Sequence, residues 1–308
     1  MKVVRASVLG FCMGVRRAVE TAWRESSAQG ERVFTIGPLI HNPSVLADLE
    51  KRGVTILEQT SIGADIAGST VIVRAHGIAP ELENELVRHG AQVVDATCPH
   101  VKLNQKKAQS FAEHGYRIFL AGEKNHGEIS GICGYIALAG TSGKAVNYHV
   151  VGNALEAHIA AQAAQNCSVR EEKTALIAQT TISADEYSSI AEAIKKFFPN
   201  VEIADTICAA TAQRQQALRK LCGKVEAVIV AGGKESANTL RLLSLAKELG
   251  KPAWLVEKLE EIPAEISMYE TVGLCAGAST PDSLINEIEK ALEATHDGRT
   301  AIGQRLKA

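Results

Sequence analysis

The sequence predicts an α/β fold of three pseudo-threefold-related units, each with a small parallel sheet, gathered round one central cavity. Three observations predict it. A cysteine, a helix and a short buried strand ending in glycine recur three times: Cys12 to Gly37, Cys98 to Gly122 and Cys208 to Gly232 are 25, 24 and 24 residues apart. Buried-looking strands alternate with amphipathic helices, the pattern of parallel sheets covered on both faces. The segments VVDATCPHVKLNQKKA (93–108) and IADTICAATAQRQQA (203–217) each place Asp three residues before Cys and Gln seven after it: Asp95, Cys98 and Gln105, then Asp205, Cys208 and Gln215.

The elements follow in order. MKVVRAS reads as a strand leading to Cys12, and MGVRRAVETAWRES as the helix after it. RVFTIG is a strand, PLIHN its loop, and STVIVRAHG the second strand of that unit. After Cys98 a helix over 99–114 ends at Gly115, a C′ glycine. YRIFLAG, the loop EKNHGE and the strand KTALIAQTT complete the second unit. Ser183 and Glu186 form a capping box there. After Cys208 come a helix near 210–223, the strand EAVIVAG, the loop GKESAN and the strand ETVGLCAGAST. The helix begun near Ser236 is stopped by Gly250 and Pro252, and Thr280-Pro281 reads as N-cap then N1. The units fall at 14–98, at 99–205, and at 206–293 with 1–13; residues 294–308 form a C-terminal tail expected to be mobile.

At 308 residues, 46% hydrophobic and 22% charged, the chain has room for two or three small domains. A net charge of −2 offers no basic field to nucleic acid or an anionic membrane, so neither is expected as a partner. No apolar run approaches the roughly 18 residues of a membrane span. The N-terminal apolar stretch is too short for a secretion signal, and the expected compartment is the cytoplasm.

Seven cysteines, an odd number, argue against a disulfide framework in that compartment. No Cys-x-x-Cys occurs, which argues against zinc fingers, zinc ribbons and two-cluster ferredoxins. One thiolate from each repeat, Cys12, Cys98 and Cys208, suits an iron–sulfur cluster. A [4Fe–4S] cube normally takes four cysteines, so three leave one iron open as a Lewis acid toward a substrate oxygen. A three-cysteine zinc site is the competing reading, since zinc also favours thiolate. Cys133, Cys167, Cys222 and Cys275 do not fall on the repeat and read as core.

In parallel sheets ligands gather beyond the carboxyl ends of strands. Loops after the first strands carry His41 with Asn42, His126 with Glu128, and Ser236 with Asn238. Those after the second strands carry His76, Thr180 with Thr181, and Ser279 with Thr280. Histidines, amides, hydroxyls and helix N-termini together suit an anion such as phosphate. There is no Gly-rich dinucleotide fingerprint and no Walker loop, so a standard nucleotide site is not expected. Glu128, two residues from His126, suits proton delivery, and burial beside a thiolate-rich cluster should raise its pKa. Three functions fit these residues: a reductase, a non-redox iron–sulfur hydro-lyase acting on a phosphorylated small molecule, and a non-enzymatic iron–sulfur sensor. Consumption of a reductant separates the first two, and the sensor has no need of the His126/Glu128 pair.

GFCMGVRRAVE, IGPLIHNP, VRAHG, DATCP, HGE, AQTT, DTIC-x-x-T-x-x-RQ, GGKESAN and AGAST match, in order and spacing from residue 1 to about 293, a known family. The chain resembles the 4-hydroxy-3-methylbut-2-enyl diphosphate reductases of the non-mevalonate isoprenoid pathway. The resemblance implies a cloverleaf of three α/β units around a [4Fe–4S] cluster held by Cys12, Cys98 and Cys208. It implies an allylic diphosphate substrate, reduced to isopentenyl and dimethylallyl diphosphate with electrons from an external donor of ferredoxin or flavodoxin type. His41, His76, His126, Ser236, Asn238 and Ser279 would bind the diphosphate. Glu128, His126 and Thr180 would serve catalysis, Glu128 relaying protons and Thr180 lying beside the substrate hydroxyl. The chain departs from the family in two places. Ser236-Ala237-Asn238 stands where the family commonly has Ser-Ser-Asn, which removes one hydroxyl. Gly127 stands where it often has proline, which implies a more mobile loop.

Overall fold

The structure, a computed structural model, describes residues 1–27, 32–40, 42–140, 146–166 and 173–305, without the side chains of 64 and 295–305. Strand β1 (Lys2–Arg5) and helix α1 (Met13–Ser26) open the chain. Then come β2 (Val33–Ile36), α2 (Pro43–Lys51), β3 (Val54–Leu57), β4 (Thr70–Val73), α3 (Pro80–Arg88) and β5 (Gln92–Asp95). The succession repeats as α4 (Pro99–Glu113), β6 (Arg117–Ala121), α5 (Gly127–Gly140), β7 (Tyr148–Val151), α6 (Ala154–Asn166), β8 (Thr174–Ala178), α7 (Ala184–Lys195) and β9 (Glu202–Ile203). It repeats again as α8 (Ala209–Cys222), β10 (Ala227–Ala231), α9 (Ala237–Glu248), β11 (Ala253–Val256), β12 (Thr271–Ala276) and α10 (Asp282–Arg305). No helix of the described residues is long and apolar enough to cross a membrane.

The strands form three parallel four-stranded sheets, in the orders β3-β2-β4-β5, β7-β6-β8-β9 and β11-β10-β12-β1. The fold is therefore the predicted α/β class with three small parallel sheets. Two compact units contain them. One comprises Met1–Val15, His41–Val45 and Ala209–Ala308 and holds the sheet that includes β1. The other, Arg16–Ile40 with Leu46–Cys208, holds the remaining two sheets.

Central strands are apolar at successive positions because helices cover both faces. Along β6, Ile118 and Leu120 pack with Ile132 and Ile136 of α5, while Phe119 and Ala121 pack with Ala157 of α6 and Ile190 of α7. In β10, Val228 and Val230 join Leu218 of α8 and Leu242 of α9; Ile229 and Ala231 join Ile285 and Ile288 of α10. Burying each such Val, Leu, Ile or Phe side chain contributes roughly 1.5–3 kcal/mol. Cys222 and Cys275 lie in the α8–α9 cluster and Cys133 packs half-buried against the α5 cluster, as core residues do. Cys167 lies outside the described residues.

Gly115 and Gly250 end α4 and α9 with φ of 73° and 74°, and the Ser183 side chain accepts the N–H of Glu186 at 3.1 Å. Three details differ from expectation. Each repeat carries an edge strand that the hydrophobic pattern did not announce, β3, β7 and β11. All three have only four residues and partial burial, too little for a periodic signal. Thr280 is not the side-chain cap of α10; its hydroxyl donates to Ala231 O at 2.9 Å, binding β12's exit to β10. α10 itself runs through Arg305, into the segment expected to be a tail.

Candidate active site

The strand ends of the three repeats carry the same backbone pattern. Gly37, Gly122 and Gly232 each donate an N–H to the edge strand beside them, to Leu57 O, Val151 O and Val256 O, at 2.9, 3.0 and 3.0 Å. Each repeated cysteine is tied to the exit of a neighbouring strand. Cys12 N–H donates to Ala278 O at 3.1 Å, Cys98 N–H to Ala75 O at 3.0 Å, and Cys208 N–H to Thr180 O at 2.9 Å. The residue that accepts, or the one after it, is in each case a predicted site residue: Ser279, His76 or Thr180.

Glu128 lies in the first turn of α5 and is 0% exposed. Its Oε1 accepts the Thr180 N–H at 2.9 Å and its Oε2 the Thr180 hydroxyl at 2.7 Å. Burial pushes its pKa up to about 7, against the opposing pull of the Thr180 hydrogen bonds. Near neutrality the group is therefore divided between acid and carboxylate, the condition that favours proton transfer.

Histidine 126 precedes this carboxyl. Its Nδ1 accepts the Glu128 N–H at 3.2 Å, so in the neutral ring the proton sits on Nε2. His76 meets it edge-on, with ring centroids 5.1 Å apart. His41 lies outside the described residues. Gly127 has a local reason to be glycine: a Cβ there would fall 2.6 Å from Arg74 Nη2, so the guanidinium occupies the space a proline ring would need.

In the other unit, Ser236 caps α9 and Ser279 follows β12; their hydroxyls are 3.5 Å apart. Asn238 is 5% exposed and its Nδ2 has no partner; the Thr239 hydroxyl, fully buried, has none either. Unpartnered buried donors are costly and call for an acceptor. The backbone comes close here because Gly277 leaves out a Cβ that would fall 2.0 Å from Thr239 Oγ1. Ala237 occupies N1 of α9 and supplies no hydroxyl to this group.

Cys12, Cys98 and Cys208 are unbridged and half-buried, and each stands immediately before a helix, α1, α4 or α8. Helix N-termini favour negative charge, and each of the three cysteines stands at one. Val15 N–H points at Cys12 Sγ from 3.4 Å. By contrast, burial pushes the Cys222 and Cys275 thiols up, which keeps them protonated. Among the described residues no three His, Cys, Asp or Glu side chains come together as the ligands of a single metal ion.

Two residues essential to this geometry were not singled out in the sequence. Gln179, fully buried, accepts the Glu123 N–H at 3.0 Å through Oε1 and donates from Nε2 to Thr181 Oγ1 at 2.6 Å, joining the exits of β6 and β8. Asn104 sits at a position that helical periodicity assigns to the buried face of α4, where an amide signals a polar partner. That mismatch was the available cue.

A family model for LytB protein matches residues 3–293. The chain is 45% identical to the 4-hydroxy-3-methylbut-2-enyl diphosphate reductase of Treponema pallidum, over 94% of this chain and 83% of that protein. It is 44% identical to the reductase of the same name from Treponema denticola, over 95% and 99% of the two chains. Its structure is similar to that of the E-1-hydroxy-2-methyl-but-2-enyl-4-diphosphate reductase from Plasmodium falciparum, with a TM-score of 0.83 at 28% identity over 94% of this chain and 87% of that one. It is also similar to a solved (E)-4-hydroxy-3-methyl-but-2-enyl diphosphate reductase, described as the terminal enzyme of the non-mevalonate pathway. That match has a TM-score of 0.68 at 34% identity and covers 96% and 100% of the chains. The match over nearly the whole chain is decisive: the chain belongs to the LytB protein family and is an oxidoreductase.

Proposed function

We propose that the enzyme reductively removes the allylic hydroxyl of (E)-4-hydroxy-3-methylbut-2-enyl diphosphate, giving isopentenyl and dimethylallyl diphosphate. In balance, two electrons and two protons replace the C–O bond by C–H and release water. The electrons come from an external donor of ferredoxin or flavodoxin type. A [4Fe–4S] cluster on Cys12, Cys98 and Cys208 supplies electron transfer and an open iron position when bound. The unbridged thiols ahead of three helices support this ligand set. The repeated sheet order supports three modules at 14–98, at 99–205, and at 206–293 with 1–13.

The chain's own residues divide the remaining work. Ser236, Asn238 and Ser279 hold the diphosphate through hydroxyl and amide donors, with His41, His76 and His126 as further donors. Glu128 gives a proton to the departing hydroxyl oxygen. Thr180 fixes the carboxyl's orientation and lies beside the substrate hydroxyl, and His126 holds the loop through its bond to the Glu128 N–H. The reductase names of the relatives favour this over a non-redox hydro-lyase.

The single observation that carries the reading is a fully buried carboxyl gripped by two Thr180 hydrogen bonds, where burial raises its pKa. Its test is Glu128→Gln, which keeps the shape but cannot release a proton. The variant should lose about 10²–10⁴-fold in kcat with KM little changed. Near wild-type single-turnover reduction would refute Glu128 as the proton source.

A further inference from the structure

One guanidinium meets the exits of two strands and the start of a helix. Arg74 follows the last residue of β4 and stands two residues before His76. Its Nε donates to Gly77 O at 3.4 Å, in the turn that contains His76, and its own carbonyl closes that turn by accepting the Gly77 N–H at 3.0 Å. A Cβ at Gly37, the exit of β2, would fall 3.2 Å from Nη1. A Cβ at Gly127, the first residue of α5, would fall 2.6 Å from Nη2 and 2.8 Å from Cζ. The planar group thus fills a slot that is open because both neighbours lack a side chain.

Gly127 is the apex of a short turn. His126 precedes it, Glu128 follows it, and the Glu128 N–H donates across it to His126 Nδ1 at 3.2 Å. The Glu128 carboxyl is also held by its two bonds from Thr180. The His126 ring meets His76 edge-on, and the residue that follows His126 rests on the guanidinium. A cavity of about 350 Å³, lined by Arg74, Gly127 and Ser130 among others, adjoins the turn, so without the guanidinium the turn has room to move.

Stability does not account for Arg74. Burial lowers the pKa of the guanidinium, and among the described residues no carboxylate forms an ion pair with it; Glu58 acts only from longer range. The N-terminus of α5 disfavours a cation beside it as well. A half-buried charge without an ion-pair partner costs free energy.

We infer that Arg74 is a positioning residue for His126, bracing Gly127 so that the imidazole stays fixed beside His76. The inference rests on the reading of His126 as a diphosphate donor.

The test is a cycle of Arg74→Ser, Gly127→Pro and the double variant, in the cluster-loaded enzyme. Proline suits the first position of a helix, and what excludes it at 127 is the guanidinium. Gly127→Pro should lower Tm by about 3–6 °C through overpacking, and raise KM. Arg74→Ser should hold Tm, because no ion pair is lost, and raise KM about tenfold. Its kcat should stay within about threefold of the wild type, because the Thr180 bonds still hold Glu128. In the double variant the proline ring takes the place of the guanidinium. Its Tm should return to the wild-type value and its KM to within about threefold of it. A double variant whose Tm losses add and whose KM effects multiply overturns the inference, as does Arg74→Ser with wild-type KM. Should Gly127→Pro fail to fold, Arg74→Ser and the double variant still decide. A wild type that does not reduce the diphosphate sinks the reading of the site instead, and the Tm cycle, which needs no substrate, still tests the brace.

Discussion

Thr180 grips Glu128 with two hydrogen bonds, N–H to Oε1 at 2.9 Å and hydroxyl to Oε2 at 2.7 Å, while its carbonyl accepts the Cys208 N–H at 2.9 Å. One residue thus fixes both a buried acid and a candidate cluster ligand. Thr180→Val keeps the backbone bonds and the side-chain shape but removes the hydroxyl donor. It should lower kcat about tenfold and move the alkaline limb of activity upward, because a donor to the carboxylate is lost. Thr180→Ser should retain most of the activity. Steady-state kinetics across pH check both.

Glu128 also makes stability depend on pH. Its folded pKa of about 7 lies above the ordinary 4.5, so the folded chain holds this proton more tightly than the unfolded chain. This contribution is fully present below pH 4.5, is lost as pH rises toward 7, and is absent above it. Glu128→Gln, neutral at every pH, should match the wild type in thermal stability near pH 4.5 and exceed it at pH 8 by a few kcal/mol. Anaerobic thermal denaturation at the two pH values reads the difference.

Cluster retention should follow the repeat. Cys12→Ser, Cys98→Ser or Cys208→Ser should each strip most of the iron from protein purified without oxygen. Cys222→Ser, in the α8–α9 core at 4% exposure, should keep it and lose only stability. Iron content and the visible spectrum per protein decide. A full complement of iron in Cys208→Ser would contradict the ligand set.

Asn238 offers the opposite balance between stability and binding. Its buried Nδ2 lacks a partner in the free protein. Replacing an unsatisfied buried amide by an apolar side chain is close to neutral or stabilising. Asn238→Leu should therefore hold or raise Tm while raising KM for the diphosphate about tenfold. A fall in Tm with unchanged KM would make Asn238 a structural residue.

The repeat was legible because it is written in cysteines, glycines and continuous apolar strands, all dictated by local geometry. Cys98 before Pro99 and the Gly115 stop announce α4, and Glu128 two residues after His126 announces an acid. The edge strands β3, β7 and β11 were not legible, because four residues with one covered face carry no period. Asn104 was missed for a different reason. Its partners, Thr206 O and Ala178 O, lie on segments brought together only by folding. Thr280 was misread as a helix cap because its actual acceptor, Ala231 O, is 49 residues away.

Strand β1 has a consequence in time. Residues Lys2–Arg5 have as their sheet partner β12, Thr271–Ala276, which is synthesised long after them. The N–H of Cys12 likewise waits for Ala278. Until β12 is made, β1 lacks this neighbour and Cys12 lacks this anchor, while the two sheets of Arg16–Ile40 with Leu46–Cys208 can already close. Folding during synthesis thus settles the Cys98 and Cys208 loops before the Cys12 loop, and a chain cut short before β12 would keep all three cysteines but leave Cys12 without its bond to Ala278 O.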